Sequence, residues 1–127
     1  MIRFAFLLPL TLAVLPGGLA AQASDSRWVQ ISEGSNGPIF IDTIYVVREG
    51  SRVTAWYRTD LRRPGAHGAS QWLEKREIDC AAGTMRLLAF IGRRPDGSLV
   101  DPDDSPRPPG PILPETIGAD MRDYVCR

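Results

Sequence analysis

His67 is the only histidine among 127 residues, which limits the chemistry open to this chain. Its imidazole lies between Ala66 and Gly68, with no Cys, Asp or Glu at helical or turn spacing. No zinc site is assembled around it, and it reads as an exposed loop histidine. Asp96, Asp101, Asp103 and Asp104 offer oxygens to a cation, but they lack the ordered spacing and central glycine of a calcium loop and read as a solvated acidic loop. There is no G-x-S-x-G elbow, no phosphate-binding loop and no spare cysteine to act as a nucleophile. The expectation is therefore a protein that is not an enzyme and holds no metal and no cofactor. What remains is the chemistry of contact. Arg58, Arg62 and Arg63 with His67 form a basic cluster able to meet carboxylates, and Arg62, Arg63 and His67 share one polar loop, residues 60–70. Those three are the candidate protein-binding residues.

The other reactive pair is Cys80 and Cys126, the only two cysteines. Their meaning depends on the compartment. Met1-Ile2-Arg3 is a positive n-region, Phe4 to Leu15 an apolar core, Pro16-Gly17-Gly18 a breaker, and Ala21-Gln22-Ala23 a peptidase site, so residues 1–23 read as a signal peptide with the mature chain starting at Ser24. Outside the cytoplasm two thiols with no odd partner read as a disulfide. Neither cysteine lies at the signal junction, so a lipoprotein anchor is not expected. The localisation that follows is the periplasm or the cell surface.

Residues 24–127 suffice for one domain, 24–127, with a modest core. Basic and acidic residues number 15 each, and with Arg3 in the leader the mature segment carries one excess acid, so no net field draws it to nucleic acid or to an anionic membrane. No later stretch reaches the roughly 20 apolar residues of a membrane span.

The elements that must position these residues follow from pattern. Trp28-Val29-Gln30-Ile31 and Pro38 to Asp42 are strands across a Gly/Ser/Asn turn. Tyr45-Val46-Val47 and Val53 to Arg58 flank a hairpin turn, residues 48–52, that needs glycine at positive φ. Residues 71–80 form a long strand that pairs with 84–92 across Ala81-Ala82-Gly83, and the shared parity of Trp72, Ile78 and Cys80 marks the core face. Of the adjacent Trp56 and Tyr57, one must face away from the core. Residues 93–114 read as a proline-stiffened loop with one short edge strand at Ser98-Leu99-Val100. Thr116 caps a helix whose Ile117, Met121, Tyr124 and Val125 share one face. The fold expected is α+β: one antiparallel β-sheet of about five to six strands, with a C-terminal helix packed on one face and tied to it by a Cys80–Cys126 disulfide.

Several short pieces recur in a recognisable order. They are Trp28-Val29; Phe40-Ile41-Asp42 with Ile44; Val53-Thr54-Ala55-Trp56; Ile78-Asp79-Cys80; Arg86-Leu87; Pro109-Gly110-Pro111 with Ile117-Gly118; and Val125-Cys126. In this order the chain resembles the surface-adhesin protein E-like family of bacterial envelope proteins. The resemblance implies an antiparallel sheet with a disulfide-held helix, export to the envelope, and, for the adhesin, binding of host matrix and serum proteins. This chain has no lipid-attachment cysteine and only one lysine, Lys75. The function expected is a binding module acting on host or envelope proteins through a sheet face or the 60–70 loop. The alternative is a periplasmic structural or assembly accessory with no host ligand.

Overall fold

In the computed structural model, the structure describes residues 27–127 as a continuous chain. The expected leader and its cleavage after Ala23 lie outside the described residues. The described residues form eight strands: β1 (Trp28–Gly34), β2 (Gly37–Asp42), β3 (Val47–Glu49), β4 (Arg52–Asp60), β5 (Gln71–Asp79), β6 (Thr84–Arg93), β7 (Leu99–Asp103) and β8 (Gly110–Pro111), before helix α1 (Ile117–Val125). They form one sheet in the order β1-β2-β4-β5-β6-β7, with β3 beside β4 and β8 beside β6, and every pairing is antiparallel.

The architecture is the one expected, with more strands than the five to six read from the pattern. The surplus comes from short pieces. The proline-rich stretch supplies both β7 and the two-residue β8. β7 tolerates Pro102 because it is an edge strand, where a missing N–H need not break a ladder. β3 begins at Val47 rather than Tyr45, because the Asp42 carboxylate accepts from the Ile44 N–H at 3.0 Å and bends the chain there. Gly50 and Gly83 take φ of 59° and 66° at the two tight hairpin turns, as those turns require.

Side-chain alternation divides the sheet cleanly. Ile39 and Ile41 of β2, Val53, Ala55 and Tyr57 of β4, and Ile78 of β5 are buried on one face against Met121 and Val125 of α1. Tyr57 points into this core and Trp56 away from it, which resolves their adjacency. Each buried aliphatic side chain contributes about 1.5–3 kcal/mol. Tyr57 is costlier to bury: its hydroxyl has no partner among the described residues, and burial pushes its pKa up.

Nine residues of helix are marginal alone, so α1 is held from several directions. Thr116 Oγ1 accepts from Ala119 N at 3.2 Å as the N-cap. Ser32 donates to Asp120, Arg48 Nη1 donates to the Val125 carbonyl at 2.6 Å, and Cys126 is bonded to Cys80 across a separation of 46 residues. The face actually buried is Gly118, Ala119, Met121 and Val125. Ile117, expected on that face, lies at its rim.

Candidate binding surface

The face of the sheet opposite α1 carries the densest unusual chemistry. Among the described residues no helix covers it. Register places Phe40 opposite Arg58, and Arg58 opposite Leu73, so an arginine sits between an aromatic and an aliphatic side chain. Its guanidinium carbon lies 4.6 Å from the Phe40 ring centroid and 4.9 Å from that of Trp28. Arg27 extends the pattern, 4.9 Å from the Tyr45 ring and 5.8 Å from Trp28. Each such contact is worth about 0.5–2 kcal/mol, more as water is excluded. Trp28 is thus held between two cations.

Carboxylates anchor both arginines. Arg58 Nη2 donates to Asp60 Oδ2 at 3.2 Å, while its Nε lies 2.8 Å from Oδ1 but outside hydrogen-bond geometry. Arg27 grips Asp42 with two bonds of 2.9 and 2.7 Å. The Asp42 side chain is 2% exposed and that of Arg27 41% exposed, so the buried member is the acid.

Beyond these pairs the face opens into a recess of about 390 Å³, lined by Trp56, Leu73, Ile91 and Leu99, with Tyr45 and Arg93 at its margins. Tyr45 and Leu99 are 60% and 57% exposed, a high value for side chains of this size. Arg93 donates only to the neutral Gln71 Oε1, and Lys75, opposite Trp56, has no carboxylate within ion-pair distance among the described residues. Apolar surface flanked by uncompensated cations suits a partner that presents both acidic and apolar side chains.

The Arg27–Asp42 pair gives a pH signature. Hydrogen bonds from Arg27 hold the Asp42 carboxyl below the usual carboxylate range against the opposing effect of burial, with the Ile44 N–H assisting. A depressed folded pKa stabilises above the unfolded value of about 4, and that contribution is lost as pH falls through the folded value. Arg27→Ala leaves Asp42 buried with only backbone donors. Its unfolding midpoint should lie several degrees below wild type at pH 7, and the gap should narrow steadily below about pH 4. Thermal melts of both proteins from pH 7 to 2.5 check this, and a gap independent of pH would contradict it.

The loop residues expected to bind protein are placed on the other side, folded over Trp72. Arg62 is engaged by its own chain: it pairs with Glu33, donates to the carbonyls of Gly34 and Ser35 at 3.1 and 3.3 Å, and gives its backbone N–H to Asn36. Arg63 adjoins it on a recess shared with Ser35, Asn36, Leu61, Pro64, Gly65 and Trp72, and makes no ion pair among the described residues. His67 lies apart, with Nδ1 2.6 Å from Asp101 Oδ2 and its carbonyl accepting from Arg94. Both His67 and Asp101 have positive φ, 55° and 49°. Arg58, grouped with these residues by sequence, projects from the opposite face. The structure therefore brings Arg62 and Arg63 together and separates Arg58 and His67 from them.

The profile of the family described as Surface-adhesin protein E matches residues 28–127. No curated protein matches the chain. Among solved structures, a crystal form of Haemophilus influenzae protein E superposes with a TM-score of 0.64 at 13% identity, covering 80% of this chain and 87% of that one. Protein E from non-typeable Haemophilus influenzae gives 0.63 at 13% identity, covering 92% and 82%. At that identity the likeness is one of fold.

Proposed function

The chain belongs to the surface-adhesin protein E family, and from that premise we propose that it is an exported, non-enzymatic binding module of the bacterial envelope whose ligand is a protein of the host matrix or serum, or of the envelope itself. The observation that carries this reading is the helix-free face, where Tyr45 and Leu99 are exposed beside Arg93 around one recess. An antiparallel sheet that ends in water on one side normally makes that side polar. Here it is aromatic and aliphatic between cations, the composition of an interface centre rather than of a solvated surface. The order of n-region, apolar core and Ala21-Gln22-Ala23 supports export. Arg63, and Arg62 where its internal contacts yield, form a secondary site that steers acidic partners, with His67 held away from it beside Asp101.

Association of the purified protein with matrix, serum and envelope proteins, followed by surface-immobilised binding, tests the proposal. Tyr45→Asp with Leu99→Asp should weaken binding tenfold or more, because both side chains are exposed and their loss spares the core. Arg62→Glu with Arg63→Glu should mainly slow association, and more so at low salt. Binding untouched by either pair moves the site elsewhere. No ligand in any of the three pools, together with strictly periplasmic recovery, favours the assembly accessory.

A further inference from the structure

A second cavity, of about 460 Å³, lies on the helix side of the sheet, between the start of α1 and strands β2, β4, β5 and β6. It is unrelated to the recess on the opposite face. Its size falls within the range that holds small ligands. Ile39, Met85, Ile112 and Met121 give it apolar walls, and Trp72 lines it as well. Into this apolar setting β5 projects two charges, Glu74 and Arg76, which share a face because they are two residues apart on a strand. Their side chains are only 19% and 23% exposed.

The pair is not closed on itself. Arg76 Nε donates to Glu74 Oε2 at 2.8 Å, and that is the only hydrogen bond of the guanidinium among the described residues. Nη1 and Nη2 are left as a planar two-donor fork, the geometry that meets a carboxylate with two parallel bonds. The first turn of α1 lines the same cavity through Thr116, Ile117 and Gly118. The Thr116 hydroxyl serves Ala119, while the N–H groups of Ile117 and Gly118 make no hydrogen bond among the described residues. Helix-terminal donors of this kind favour negative charge. Gly118 keeps the approach close: a Cβ there would stand 3.0 Å from Met85 Cε.

We propose that this cavity binds a small monocarboxylate with an apolar body, its carboxylate on the Arg76 fork and its hydrocarbon between Met85, Ile112 and Met121. A cation would meet Glu74 only by competing with Arg76, and a neutral apolar molecule would cover Nη1 and Nη2, which Glu74 does not engage, without bonding them. A carboxylate satisfies them. For a ligand of about ten non-hydrogen atoms the affinity expected is modest, with Kd roughly 0.1–1 mM.

Octanoate is the probe, and 1-octanol its neutral counterpart. Titration into the purified protein, followed through the methyl resonances of Met85 and Met121, should show saturable shifts with octanoate. Arg76→Gln should weaken octanoate binding at least tenfold and leave the 1-octanol response unchanged. Glu74→Gln should tighten octanoate binding severalfold, because it keeps an acceptor for Arg76 Nε and removes the competing negative charge. A folding defect would weaken both variants alike, so the opposed directions separate a binding role from a structural one. Equal affinity for octanoate and 1-octanol, octanoate affinity unchanged by Arg76→Gln, or shifts that avoid both methionines would each overturn the proposal.

Discussion

Replacing Cys80 and Cys126 together by serine is expected to lower stability by about 2–5 kcal/mol. The bridge spans 46 residues, for which the loss of chain entropy in the unfolded state amounts to about 4 kcal/mol. For a domain of this size that corresponds to a fall in the unfolding midpoint of more than about 10 °C. The damage should not be uniform. Without the bridge α1 keeps Met121 and Val125 in the core, the Ser32–Asp120 bond and the Arg48 contact to the Val125 carbonyl. The sheet keeps its entire ladder. Amide exchange in residues 117–125 should therefore accelerate first, before β4 and β5 lose protection. An unchanged midpoint on reduction, or two titratable thiols in the unreduced exported protein, would contradict this.

Gly37→Ala should cost at least about 3 kcal/mol, through positive-φ strain and overpacking together. Gly37 opens β2 at φ 148°, and a Cβ there would overlap the carbonyl oxygen of Asp60 and stand 3.0 Å from its carbon. The obstacle is backbone, so no rotamer change relieves it. The clash falls where the β1–β2 turn meets the 60–70 loop, and the Arg62 N–H to Asn36 bond would be lost with it. Gly50→Ala is the control. Gly50 also has positive φ, 59°, but a Cβ would meet nothing within 4 Å, so only the left-handed backbone penalty of about 1 kcal/mol applies. Denaturant melts of the two variants decide the matter, and equal costs would remove the steric argument.

Local chemistry made much of this fold legible in the sequence. Thr116 announces a cap, Gly50 and Gly83 announce tight turns, and the parity of Trp72, Ile78 and Cys80 marks the helix side of β5, all of which the structure shows. Each depends only on residues close in sequence. The recess on the opposite face was not legible, because Trp28, Trp56, Leu73, Ile91 and Leu99 come from five separate strands and only register brings them together. Trp28 and Trp56 both lie half-buried on that face. Asp42 read simply as the end of a strand, and its pairing with Arg27 depends on the return of β2 along β1. Arg58 misled for the same reason: four residues from Arg62 in sequence, it lies on the other side of the sheet.

The sulfur bridge also gives the domain a mechanical property. Tension entering at Arg127 reaches Cys126 within one residue and passes through the bond to Cys80, bypassing everything between. Residues 81–125, which hold β6, β7, β8 and α1, carry no load when the chain is pulled from its ends. Roughly 150 Å of contour is thereby locked away, at about 3.4 Å per extended residue. A tether built this way gives ground only through β1 to β5, and a partner gripping β6 or β7 stands on a part of the chain that a pull on the termini does not unravel.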